Sequence, residues 1–366
     1  MNEMKSFDEV FEDKTKYGTK IKTDEYKEKG AHLIIDQGQE QVAGYTDLEE
    51  GIFNDVPAIV FGDHTRVIKY IDKPFFLGAD GVKVLKCRLP NANYKYLYYA
   101  LRYAKIPNTG YNRHFKWLKD IKIAYPDDKK QVTIVEILDK VSTIIEIRKH
   151  QLEKLDELVK SRFIELFGTI HDNRFGFGVV TLQDVSAPIK DGTHQTPTYT
   201  TDVKNGYKFL SSKDVTTGKV DWSHLKYIPE ELHRELYARL SPRRGDILLA
   251  KNGTTGIAAI VDRDEVFDIY VSLALIRPHG VDPIYLWAAI NSAETKQQFD
   301  ASLKGIGVPN LHLGEIKKAR IILPPMELQE QFAAFVEQTD KSKLAIQQSL
   351  EKLETLKKAL MQQYFG

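Results

Sequence analysis

The chain has 366 residues, 42% of them hydrophobic and 28% charged, which suits a soluble protein of two or three domains. Its formal net charge of +1 argues against a protein that holds nucleic acid by its own positive field, so a nucleic-acid role requires partner subunits to supply most of that field. A single cysteine, Cys87, excludes an intrachain disulfide framework, and no apolar run approaches the roughly 18 residues of a membrane span.

The expected order is a head at 1–126, a long helix at 127–168, a second head at 169–324 and a second long helix at 325–366. The start, MNEMKSFDEVFEDK, is acidic and lacks the apolar core of a secretory signal, and the lone cysteine makes a reducing cytoplasm the expected compartment. After a charged, mixed stretch to residue 28, short apolar runs at 32–35, 58–61, 66–71, 75–77 and 82–87 read as strands of a loop-rich sheet. Residues 93–104, NYKYLYYALRYA, carry aromatics at helical spacing. The second head repeats the order, with strands at 247–250, 258–261 and 270–276 and a helix from 283 to about 300. Tyr285-Leu286-Trp287 of that helix matches Tyr96-Leu97-Tyr98. The expected class is α+β, with an antiparallel or mixed sheet and one helix in each head.

The long helices are the clearest repeat. Residues 131–168 and 329–366 align without a gap at an offset of 198. Leu152-Glu153-Lys154-Leu155 recurs as Leu350-Glu351-Lys352-Leu353, and Phe167-Gly168 as Phe365-Gly366. A four-three apolar rhythm runs through Ile134, Leu138, Val141, Ile145, Leu152, Leu155 and Val159, and through Phe332, Val336, Ile346, Leu350, Leu353 and Leu360. That rhythm, flanked by Glu and Lys, specifies a coiled-coil seam. Two such stripes in one chain are expected to bury each other in an antiparallel pair, giving a pseudo-two-fold internal repeat; the alternative is that each helix packs on its own head. Pro126 and Pro324-Pro325 end the preceding strands, and Gly168 and Gly366 stand where a helix terminates.

Catalytic signatures are sparse. The sequence holds no phosphate-cradling G-x-x-x-x-G-K-[ST], no Gly-rich cofactor turn and no Asn-Pro-Pro-aromatic tetrapeptide. It has no G-x-S-x-G and no Cys/His set with zinc spacing, so no metal site is expected. Pro126-Asp127-Asp128-Lys129-Lys130 superficially suggests a metal-dependent nuclease, but an acid-rich first helical turn explains it better.

Polar loops point to recognition instead. IKDGTHQTP offers Lys190, Thr193, His194 and Thr196; LLAKNGTTG offers Lys251, Asn252 and Thr254. FGDHTR, at the corresponding place in the first head, offers His64, Thr65 and Arg66. GYNRHFK, with Tyr111, Asn112, Arg113, His114 and Lys116, matches GVPNLHL, with Asn310 and His312. Both stretches precede a basic run read as a strand, 119–122 and 317–320. Such side chains donate to phosphates and base edges, arginine suiting guanine and asparagine suiting adenine. Corresponding loops with different polar residues suggest two heads reading two different things. A coiled-coil scaffold whose heads bind proteins is the alternative.

This pattern resembles the specificity (S) subunit of type I restriction-modification systems over nearly the whole chain. IKDGTHQTP, DILLAKNGTTG and VPNLHLGEIKKARIILPPMELQEQ resemble the family pattern in the second head. IVFGDHTRVIKYID, FFLGADGVKVL and GYNRHFKWLKDIKIAYP resemble a second type of recognition domain in the first. The first head departs from the pattern in lacking the IKDGTHQTP opening. HLIIDQGQEQVAGY stands near its place, with Gln37, Gln39 and Tyr45 as substitutes. The resemblance implies a subunit without catalysis or cofactor of its own that binds an asymmetric two-part site in double-stranded DNA. It implies assembly with two methyltransferase subunits that use S-adenosylmethionine on adenine, joined for cleavage by a restriction subunit that uses ATP and Mg²⁺.

Overall fold

The structure is a computed structural model that describes residues 3–78, 80–303 and 309–366. Met1, Asn2 and Ala79 of the quoted stretches, and Gly307 and Val308 of GVPNLHL, lie outside the described residues. The chain divides into two units, 1–149 with 348–366, and 150–347.

In the first unit the order is β1 (Glu3–Ser6), α1 (Phe7–Val10), β2 (Phe11–Asp13), β3 (His32–Ile35), β4 (Gly44–Thr46), β5 (Ala58–Gly62), β6 (Ile68–Ile71), β7 (Phe75–Leu77), β8 (Val82–Cys87), α2 (Tyr94–Tyr103), α3 (Phe115–Lys119), β9 (Lys122–Tyr125) and the start of α4 (Asp128–Phe167). The strands form a four-stranded sheet β2-β8-β5-β6, a three-stranded sheet β4-β3-β7 and a pair β1-β9. The pairing is mixed, since β3 runs parallel to β7 and the other pairs are antiparallel.

In the second unit the order is β10 (Gly178–Thr181), β11 (Lys190–Asp191), β12 (Tyr207–Leu210), β13 (Lys226–Ile228), α5 (Glu230–Arg239), β14 (Ile247–Ala250), β15 (Ala258–Ile260), β16 (Phe267–Ile269), β17 (Leu273–Ile276), α6 (Pro283–Ile290), α7 (Ala293–Ser302), α8 (Leu313–Lys318), β18 (Arg320–Leu323) and most of α9 (Met326–Phe365). Its sheets are β11-β17-β14-β15, β13-β12-β16 and β10-β18. Strand for strand, this is the arrangement of the first unit. The α+β reading therefore stands, with the duplication reaching the heads as well as the helices.

Several local expectations are corrected. Each head has more than one helix. The helix expected from 283 to 300 is two, because Ser292 caps a new start, its hydroxyl accepting from the Thr295 N–H at 3.3 Å. The basic runs 119–122 and 317–320 are not strands. Lys119 ends α3 and Lys318 ends α8, and the strands begin at Lys122 and Arg320. The charged opening holds β1, α1 and β2, with Phe7, Val10 and Phe11 buried.

Both long helices have 40 residues at the same offset of 198 (128 to 326, 167 to 365). Each is anchored by the same glutamine: buried Gln131 donates to the Pro126 carbonyl and buried Gln329 to the Pro324 carbonyl, each at 2.8 Å. Asp127 caps the first helix by accepting from the Lys130 N–H at 2.9 Å. Tyr96 donates to the Ala124 carbonyl at 2.5 Å, and its counterpart Tyr285 donates to the Ile322 carbonyl, tying α2 and α6 to the strands that lead into the long helices.

The apolar stripes do more than face each other. In the first unit Ile134 and Leu138 share a core with Phe7, Tyr96 and Ile123, against which Leu360, Met361, Tyr364 and Phe365 pack. In the second unit Phe332 and Val336 share a core with Tyr285, Val159 and Phe167. Within each unit the start of one long helix thus meets the end of the other, an antiparallel arrangement, and both lie on the head. Val141 and Ile145 are buried, while Leu152, Leu155, Ile346, Leu350 and Leu353 are half-buried. Among the described residues no helix is long and apolar enough to cross a membrane.

Candidate nucleic-acid interface

In the first head the turn between β5 and β6 closes through the Arg66 N–H on the Gly62 carbonyl at 2.7 Å, with Arg66 at φ +61. Asp63, at the tip, is buried and works as a latch. Its carbonyl accepts from the His114 backbone N–H at 2.7 Å and lies 3.0 Å from the ring Nδ1, and its Oδ1 accepts from the Phe115 N–H at 2.7 Å. The latch brings two separately recognised stretches together, 63–66 and 110–116. The rings of His64 and Tyr111 stack with centroids 4.6 Å apart and planes 8° apart, and Tyr111 is 88% exposed. Asn112, Arg113 and Lys116 are exposed beside it, with the Lys116 ammonium 4.2 Å from the Trp117 ring centre. Gln37 enters from the end of β3. It accepts from the His64 N–H at 3.2 Å through its side chain and from the Thr65 hydroxyl at 2.6 Å through its carbonyl.

The second head builds the same junction. The Leu311 N–H donates to the Lys251 carbonyl at 2.7 Å, the Gly253 N–H donates to the Pro309 carbonyl at 3.1 Å, and Asn252 and Asn310 form an isolated bridge. The third polar stretch joins through Asp191 on β11, which meets the Lys251 ammonium at 3.0 Å and the His194 ring at 3.3 Å. Burial alone would raise the Asp191 carboxyl, but hydrogen bonds and charge from Lys251 and His194 outweigh it and leave its pKa below the ordinary value. Lys190, His194, Thr196, Thr254 and His312 are exposed, and Thr193 is half-buried.

Two expected contact residues are corrected. His114 is fully buried against Asp63, and Lys251 is 6% exposed in its ion pair with Asp191. Both hold loops in place and neither presents its side chain to a surface ligand. A further correction concerns the first head's missing opening. The strand that matches β11 in sheet order is β2, so the counterpart of IKDGTHQTP begins at 11–13, and HLII is the counterpart of β12. Gln37 nevertheless reaches the junction. Asp63 and Asp191, which organise it, were not singled out in the sequence; their signal is an acidic residue beside a polar turn, common in any loop.

Three side-chain atoms at these junctions, His64 Nδ1, Asn252 Oδ1 and Asn310 Oδ1, have no hydrogen-bond partner among the described residues. Buried polar atoms are normally satisfied. An imidazole nitrogen donates or accepts and a carboxamide oxygen accepts, so these buried atoms keep unfilled hydrogen-bond capacity inside the junctions.

Residues 2–157 and 176–357 each match the family described as the type I restriction modification DNA specificity domain. The type I restriction enzyme MjaVIII specificity subunit of Methanocaldococcus jannaschii is 26% identical over 265 residues, 67% of this chain and 61% of that protein. The type I restriction enzyme EcoBI specificity subunit of Escherichia coli is 30% identical over 139 residues, 37% of this chain and 29% of that protein. The matches thus span less than two thirds of the length of these relatives. The crystal structure of the S subunit of a type I restriction-modification system from M. genitalium superposes over 100% of this chain and 96% of its own, with a TM-score of 0.61 at 15% identity, which shows the shared fold. With both halves matched by one family and the fold shared end to end, the chain belongs to the type I restriction modification DNA specificity domain family.

Proposed function

We propose that this chain is the non-catalytic specificity subunit of a type I restriction-modification complex and that each head reads one half of an asymmetric site in duplex DNA. The observation that carries the reading is the repeated junction: two heads of one topology bring the same pair of loops together with different polar residues. The first offers His64, Thr65, Tyr111, Asn112 and Arg113; the second offers Lys190, His194, Asn252, Thr254, Asn310 and His312. Two dissimilar readers imply a non-palindromic target. Residues 1–126 and 169–324 serve as recognition domains and the long helices as spacers. Two methyltransferase subunits supply the S-adenosylmethionine chemistry on adenine and much of the positive field that a net charge of +1 lacks. A restriction subunit supplies ATP-driven cleavage.

Co-expression with the methyltransferase subunit, followed by genome-wide mapping of methylated adenines, tests the reading. One asymmetric motif in two parts is expected; a palindromic motif, or methylation independent of this chain, overturns it. Removing one heptad from each long helix shortens it by about 10 Å, at 1.5 Å per residue, and is expected to change the gap in the motif by about three base pairs at 3.4 Å each. An unchanged gap removes the spacer role.

Arg113 is exposed and makes no ion pair among the described residues. Arg113→Ala is expected to weaken binding by about 1–3 kcal/mol if its guanidinium reads a guanine. Competition with duplexes altered in the first half-site checks this, and an equal loss on every sequence reduces it to a phosphate contact.

A further inference from the structure

Beside the first head's recognition turn lies a groove of about 470 Å³ between the edge strand β6 and helix α2. Gln39, Gln41, Thr65, Arg66, Tyr98 and Arg102 line it together with apolar side chains and Lys69, and no carboxylate does. Lys69 is buried and meets Asp36 at 3.3 Å. Arg66 and Arg102 are the two guanidiniums of the groove. Arg66 donates through Nη1 to the Ile106 carbonyl at 3.4 Å, a long bond. Arg102 donates through Nη1 to the Tyr98 hydroxyl at 2.9 Å and lies 5.6 Å from the centre of that ring.

The groove wall is an open backbone edge. Gly62 donates to the Val67 carbonyl, so the alternation of an antiparallel ladder turns Lys69 and Ile71 toward β5 and Ile68 and Tyr70 outward. Gln41 satisfies the Tyr70 carbonyl at 2.9 Å. At the matching place in the second head the edge is capped at Ala258. The Ala258 N–H donates to Asn291 Oδ1 at 3.0 Å, and its carbonyl accepts from Asn291 Nδ2 at 3.0 Å and Trp287 Nε1 at 2.9 Å. With Tyr96-Leu97-Tyr98 aligned on Tyr285-Leu286-Trp287, Tyr98 replaces Trp287 and Arg102 replaces Asn291. An arginine cannot accept from the strand as an asparagine does. The first head therefore has a cation where the second has a backbone cap.

We propose that this groove seats the sugar–phosphate backbone of the duplex bound by the first head, with Arg66 and Arg102 as phosphate contacts. The proposal rests on the DNA-binding reading above and, of the phosphate and base-edge roles open to Arg66 in FGDHTR, gives it the backbone role. Guanidinium forks match phosphate oxygens, and such contacts fix register without reading sequence. In the second head Asn291, at the place of Arg102, caps the Ala258 backbone and supplies no cation, so its backbone contacts come from elsewhere.

The test uses the full chain in its complex with the methyltransferase subunit, a fluorescent duplex carrying the mapped site, and a series of salt concentrations. Arg102→Gln is expected to weaken binding roughly tenfold on every sequence and to reduce the slope of log affinity against log salt by about 0.9. The order of preference among duplexes altered in the first half-site stays unchanged, and Arg102→Lys keeps the wild-type slope. A wild-type slope in Arg102→Gln, with its melting temperature also that of wild type, overturns the groove assignment, as does a changed order of base preference. Inorganic phosphate that binds the wild-type complex and not Arg102→Gln, with duplex affinity and salt slope equal in the two, assigns the groove to a small anion instead. A wild-type complex that binds no duplex overturns the DNA-binding reading itself, a result distinct from all of these.

Discussion

Truncating Phe332 to alanine is expected to destabilise the chain by about 3–5 kcal/mol, the range for removing a fully buried aromatic side chain. The Phe332 ring is 0% exposed. Its centroid lies 5.5 Å from those of Phe163 and Phe167, edge-on to both, and Phe167 meets Tyr285 in the same manner at 4.9 Å. Tyr285 in turn donates to the carbonyl of Ile322 on β18. One ring thus joins the start of α9, the end of α4 and the core of the second head, and its loss opens a cavity bounded by groups held in place by other bonds. Leu353, in the half-buried middle of the stripe, should cost only about 1 kcal/mol when truncated, a typical value for a partly exposed site. Urea unfolding of both variants, read as midpoints with slopes compared, distinguishes the two. Equal losses would mean that the stripe acts as a uniform coiled coil and that the heads contribute nothing to its burial.

That difference marks how far the sequence can be read. The long helices were legible because their apolar rhythm is local: each turn declares its own inward face, and the offset of 198 displays it twice. Which neighbour fills that face was not legible. Ile134 and Phe332 have the same heptad position type as Leu353, yet the first two meet a folded head. The opening stretch failed for a related reason. Phe7, Val10 and Phe11 are three apolar side chains among charges, and their strands exist through partners far along the chain, Glu3 with Tyr125 and Glu12 with Lys86. The break at 291–292 carried its signal in Ser292, but helical spacing on both sides concealed it. In the candidate site the loops were legible as polar stretches recurring in both heads, while the placement of individual side chains was not. His114 and Lys251 have the chemistry of DNA contacts, and only the positions of Asp63 and Asp191, 51 and 60 residues away in sequence (114 − 63, 251 − 191), turn them inward.

Lys251→Met is expected to destabilise the second head by about 3–5 kcal/mol near neutral pH, the cost of removing one partner from a buried ion pair. Asp191 would remain as a buried carboxylate with exposed His194 beside it. Asp191→Asn strands the Lys251 ammonium in the same way, and the double replacement Asp191→Leu with Lys251→Met should recover much of the loss, since two apolar side chains leave no uncompensated charge. The pH dependence has a definite sign. The folded Asp191 pKa lies below the ordinary 3.8, so its contribution is complete above the unfolded value and is lost as pH falls through the folded value. Wild-type stability should therefore drop below about pH 4, and Asp191→Asn should lack that part of the drop. Urea midpoints collected from neutral pH to pH 3 provide the comparison. The same pair ties the 190–196 stretch to the 251–256 turn, so Lys251→Met should also lose discrimination among duplexes altered in the second half-site before it loses affinity for DNA in general. If it instead keeps wild-type stability and weakens binding equally on every sequence, Lys251 acts as a phosphate contact, and the ion pair seen with Asp191 opens when DNA binds.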